Sequence, residues 1–152
     1  MNRLLSLFVA VVMSLAGSAA MAGQHASAKD AETMLASAVE KLKHDGPDQA
    51  FAAFNDQNGS FLAKELYVFV FDINGKYRAS GFNPKLTGRD AYDLRDADGK
   101  YLVREMIDIA KTTGAGTVNY VWYNPDDQKV ERKHSLIRRV GDFIVGVGYY
   151  ED

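Results

Sequence analysis

Near residue 60 the spacing of apolar side chains changes from a helical to a two-residue period, and that switch dictates a mixed fold. Before it, Ala31, Met34, Leu35, Ala38, Val39 and Leu42 recur at i, i+3, i+4, i+7, i+8 and i+11. That is one stripe of an amphipathic helix, expected over 29–44 with Met34, Leu35, Ala38 and Leu42 facing the core. Gly46-Pro47 ends it, and Ala50, Phe51 and Phe54 mark a short second helix. After the switch, Leu66-Tyr67-Val68-Phe69-Val70-Phe71 reads as a strand with Tyr67, Phe69 and Phe71 on one face. Asp72-Ile73-Asn74-Gly75 turns the chain into a second strand over 76–82, followed by a loop over 83–94. Leu102, Met106, Ile109 and Ala110 define a helix over 101–113, with Gly114 at its C-terminal cap. Strands over 116–123, 129–140 and 143–150 complete the pattern. Five strands, with helices concentrated in two places, predict an α+β domain with an antiparallel sheet.

The first segment stands outside that pattern. Arg3 precedes an apolar or small-residue run over 4–16, and Ala20-Met21-Ala22 supplies a small-x-small cleavage site. Thirteen apolar residues fall short of the ~20 a membrane-spanning helix requires, although an uncleaved anchor is the competing reading. Residues 1–22 are therefore expected to be a cleaved signal peptide. Residues 23–152 are then a single ligand-binding domain, exported to the periplasm and not embedded in the membrane. The absence of cysteine removes a disulfide scaffold, a thiolate metal site and a cysteine nucleophile together. Eighteen basic against 20 acidic residues leave no basic footprint for nucleic acid.

Catalytic motifs are missing. The three histidines are His25 near the N-terminus, His44 at a helix end and His134 in a strand. His134 and Ser135 are strand neighbours, so their side chains point to opposite faces and cannot form a nucleophile–base pair. There is no Gly-x-Ser-x-Gly elbow, P-loop or His-Glu-x-x-His. Residues 94–99 with Glu105 imitate part of an EF-hand loop, but Leu94 stands where the first ligand belongs. A turn with Asp96 or Asp98 capping the next helix explains the same residues. Gly146-Val147-Gly148 lies in a strand with no helix after it, so it is no phosphate cradle. Neither enzyme, metal nor cofactor is expected.

Binding is better supported. Val118, Tyr120 and Trp122 share one strand face, and Lys133, Ser135 and Ile137 share a face of the next strand. Tyrosine and tryptophan carry polar tips that want partners when buried. A lysine beside them is costly to bury without an anion, whether an external carboxylate or a protein one such as Glu131 or Asp142. Core packing explains Tyr120 and Trp122 equally well at this level. Arg78 and Phe82 of the second strand, Asn83 after it, and Tyr92 and Tyr101 around the long loop are further candidates.

Six segments in order then resemble the single Cache domain, the extracytoplasmic sensor module of bacterial chemoreceptors and histidine kinases. They are 66–75, 83–89, 93–100, 116–125, 131–135 and 145–150, and the resemblance spans about 29–151. It implies a PAS-like fold, with a long N-terminal helix on one face of a five-stranded antiparallel sheet. The other face and the insertion over 83–114 would enclose a small ligand, often a short organic carboxylate. Tyr120 and Trp122 match the family's Tyr-x-Trp strand, and Lys133 matches its lysine on the next strand. Asn83-Pro84 stands where many relatives carry His-Pro. The resemblance leaves two readings of a free-standing exported copy. It binds a small organic acid and presents it to a membrane histidine kinase, chemoreceptor or transporter. Alternatively, it regulates such a partner by contact alone, without a ligand.

Overall fold

The computed structural model describes residues 25–151; the expected signal peptide lies outside the described residues. Helix α1 (Ala28–Asn55) opens on a capping box: Asp30 N–H donates to Ser27 Oγ, and Ser27 N–H donates to Asp30 Oδ2 at 2.9 Å. Gly46, at φ 80°, breaks the helical path, and Pro47 restarts it. The two expected helices are thus one kinked element.

The strands are β1 (Leu62–Ala63), β2 (Leu66–Asp72), β3 (Tyr77–Ser80), β4 (Ala115–Asn124), β5 (Lys129–Val140) and β6 (Phe143–Tyr150). All pair antiparallel in the order β1-β2-β6-β5-β4, with β3 also on β2. The two-residue β1 is an addition to the five strands expected from sequence. A 3₁₀ turn (Pro84–Leu86) and helix α2 (Leu102–Thr112) fill the insertion between β3 and β4.

The sheet separates two apolar layers. Leu35, Ala38, Val39, Leu42, Phe51 and Phe54 of α1 pack with Leu66, Val68, Val70, Val145 and Val147 on one face. Met34 is only half-buried, at the margin of the stripe. On the other face Tyr67, Phe69, Phe71, Val118, Tyr120, Ile137 and Ile144 meet α2 through Leu102, Val103, Met106, Ile107 and Ala110. With both faces covered, β2 is apolar from Leu66 to Phe71, and its alternation divides the aromatic from the aliphatic side chains. Among the described residues no helix is long and apolar enough to cross a membrane.

Candidate functional site

The α2 face carries the site. Register places Tyr120 opposite Lys133 across β4 and β5, and Lys133 opposite Tyr150 across β5 and β6. Ser135 faces Gly148, and Ile137 faces Gly146. The two glycines make room. A Cβ on Gly146 would strike the Phe69 ring, and one on Gly148 would strike the stem of Lys133. The lysine crosses the bare backbone of Gly148 and reaches β2, where its Nζ donates to Tyr67 Oη at 2.8 Å.

Lys133 is 1% exposed. Among the described residues, no carboxylate lies within 4.0 Å of its ammonium, so neither Glu131 nor Asp142 pairs with it. Its Nζ lies 4.1 Å from the Tyr67 ring centroid and 4.9 Å from that of Tyr150. Burial pulls its pKa down to about 7, against a weaker upward pull from Glu65. The ammonium is therefore held by two aromatic faces and one hydroxyl.

Beside it, Tyr67, Phe69, Phe71, Tyr77, Phe82, Leu86, Leu102, Met106, Tyr120 and Trp122 line a cavity of about 70 Å³ with Ser80. Water needs only about 10–15 Å³ on this measure, whereas drug-sized sites begin near ~300 Å³. The space suits a molecule of a few heavy atoms. Tyr120 Oη and Ser135 Oγ are 2.8 Å apart, and the rings of Tyr120 and Trp122 meet edge to face with centroids 5.8 Å apart. Burial raises the hydroxyl pKa values of Tyr67, Tyr120 and Tyr77, the last to about 12, so they act as neutral donors.

The structure thus brings Tyr120, Trp122 and Phe82 together around the cavity, with Lys133 one hydroxyl behind its wall. Four other sequence candidates lie elsewhere. Arg78 alternates to the α1 side, 3.8 Å from Asp72 and over the rings of Phe51 and Phe143. Asn83 caps the 3₁₀ turn, its Oδ1 accepting from Lys85 N–H. Tyr92 and Tyr101 clasp the Arg104 guanidinium on the outside of the insertion, where Arg104 also pairs with Asp93. Asp96 does not cap α2. It accepts from Asp98, Lys100 and Val121 N–H groups and so pins the loop to the edge of β4. Sequence reasoning missed Tyr67 and Gly148, which depend on a pairing made by residues 66 positions apart.

The chain is thus a helix-flanked antiparallel sheet with an aromatic pocket over one face. The family model described as the Cache domain matches residues 56–152, and the chain belongs to that family. Over 88 residues it is 34% identical to the methyl-accepting chemotaxis protein McpP of Pseudomonas putida, covering 57% of this chain and 16% of that protein. Over 91 residues it is 31% identical to the sensor histidine kinase MctS of Rhizobium johnstonii, covering 59% and 20%. The chain therefore spans a fifth or less of the curated relatives it matches.

Solved structures match its fold. A methyl-accepting chemotaxis protein of Vibrio parahaemolyticus superposes with a TM-score of 0.69 at 21% identity, covering 82% of this chain and 88% of that one. A Cache chemosensory domain solved to explain carboxylic acid recognition gives 0.68 at 24% identity, covering 82% and 92%. A periplasmic sensor domain of a chemotaxis protein gives 0.64 at 23%, covering 82% and 90%.

Proposed function

We propose that this chain is a periplasmic binding protein, exported by a signal peptide over residues 1–22, that captures a short organic carboxylate. The ligand occupies the cavity between the sheet and α2, with Lys133 as its counter-charge. Tyr67, Tyr120 and Trp122 supply hydroxyl and indole donors, and Phe82 supplies an apolar wall. The carrying observation is a buried ammonium that no carboxylate of the described residues neutralises, one hydroxyl away from a cavity. The similar Cache chemosensory domain that recognises carboxylic acids supports the ligand class.

The chain's own part is binding, not catalysis. Ser135 faces Tyr120 while His134 points away to Asn119 and Glu151, so the strand neighbours form no reactive pair. A membrane chemoreceptor, histidine kinase or transporter receives the liganded domain, consistent with McpP and MctS as relatives. A thermal-shift screen of C2–C6 organic acids tests the reading. An acid at 100 times its Kd adds about 2.7 kcal/mol, or roughly 4–8 °C for a small domain. If no acid shifts the melt, the domain acts by protein contact alone.

A further inference from the structure

We propose that His25, Asp127 and Glu131 form a second site, for a divalent first-row transition-metal ion of the Zn²⁺ class. Each residue offers one donor atom, and the three atoms all lie within 4.8 Å of one another. His25 precedes α1, Asp127 lies in the β4–β5 turn and Glu131 near the start of β5, so the fold itself makes the juxtaposition. Zinc bonds of ~2.0–2.2 Å at tetrahedral angles place ligand atoms about 3.3–3.6 Å apart. His25 Nε2 and Asp127 Oδ2 are 3.6 Å apart. One imidazole and two carboxylates suit zinc and its neighbours better than calcium, which takes six to eight oxygens.

The surroundings orient these donors as a metal site requires. Glu65, only 2% exposed, sets Oε1 3.4 Å from His25 Nδ1, which leaves Nε2 toward Asp127. A buried carboxylate thus stands beside the ring nitrogen that faces away from Asp127, where metal-ligating imidazoles commonly have one. Glu65 is itself anchored, its Oε1 accepting from Ala26 N–H at 2.6 Å. Asn124, fully buried, donates from Nδ2 to Glu131 Oε2 at 2.8 Å while its Oδ1 accepts from Asp126 N–H. Glu65, Asp127 and Glu131 concentrate negative charge at this end of the sheet. A divalent cation would offset that charge.

Removal of residues 1–22 would create a rival. Gly23-Gln24-His25 would then be an N-terminal tripeptide whose amine, amides and imidazole can also chelate a metal. Calorimetry with ZnCl₂ on the purified protein separates the two. The proposal predicts one ion per chain and at least tenfold weaker binding in His25→Ala. The double variant Asp127→Asn/Glu131→Gln should lose as much, while its far-UV spectrum and apo melt stay near wild type. Acetylating the amine should change affinity less than twofold. Wild-type affinity in the double variant overturns the site, and so does loss of binding on acetylation. Absence of zinc binding to the wild-type protein overturns it equally.

Discussion

The ammonium of Lys133 rests 2.8 Å from the hydroxyl of Tyr67, across the intervening strand β6 and over a glycine that leaves it room. Removing that hydroxyl should therefore be felt at both ends. Tyr67→Phe deprives a buried ammonium of its hydrogen-bond partner at a cost of about 1–3 kcal/mol. Urea denaturation should show the loss. Carboxylate affinity should fall with it, because the same side chain lines the cavity and holds the ammonium beside it.

Gly148→Ala provides a steric version of the same test. Its methyl group would occupy the space of the Lys133 stem, and overpacking of this kind costs about 1–3 kcal/mol. The ammonium must leave Tyr67, so affinity for a carboxylate should drop even in preparations that remain folded by circular dichroism.

Lys133 also predicts a pH dependence. Its pKa is about 7 in the fold, against ~10.4 in an unfolded chain. Between those values the unfolded state binds a proton that the native state releases, so apo stability should rise from pH 7 toward pH 10. The buried tyrosines Tyr67, Tyr120 and Tyr150 have raised pKa values and oppose this only above the usual tyrosine range. Carboxylate binding has the opposite sign, since it favours the ammonium. Affinity should fall by up to tenfold per pH unit above 7 while the free site loses its proton. Chemical denaturation and calorimetry across pH 7–9 read both slopes, and Lys133→Met should flatten each.

The α1 stripe makes a separate prediction about the fold. Leu35 is 1% exposed within the aliphatic layer, so Leu35→Ala should cost about 2–5 kcal/mol in urea denaturation. A cost below ~1 kcal/mol would mean that α1 does not build that layer.

Most of this fold was legible because strand alternation and helix periodicity are local. The division of β2 into Tyr67, Phe69 and Phe71 against Leu66, Val68 and Val70 follows from a period of two, and the structure keeps it. The same rule grouped Lys133 with Ser135 and Ile137, and the β4–β5 register sets that face on the side of Tyr120. The site was less legible, because its geometry depends on distant partners. Arg78 carries an attractive charge, yet its strand position faces α1. Tyr92 and Tyr101 look like pocket aromatics until Arg104 is seen between them. Gly146 and Gly148 looked idle in isolation. Each is the complement of a bulky side chain on a neighbouring strand, Phe69 for one and Lys133 for the other.

Calorimetry of wild type and Lys133→Met tests the binding account most directly, using the acid that most stabilises wild type among C2–C6 carboxylates. A charged hydrogen bond in a desolvated site is worth about 1.5–3 kcal/mol, or roughly 10–150-fold in affinity. The variant should bind at least tenfold more weakly. Its apo melting temperature should be unchanged or higher, because an unpaired buried cation has been removed. Equal affinity in the two proteins, or a destabilised variant that still binds, would contradict a carboxylate held by Lys133.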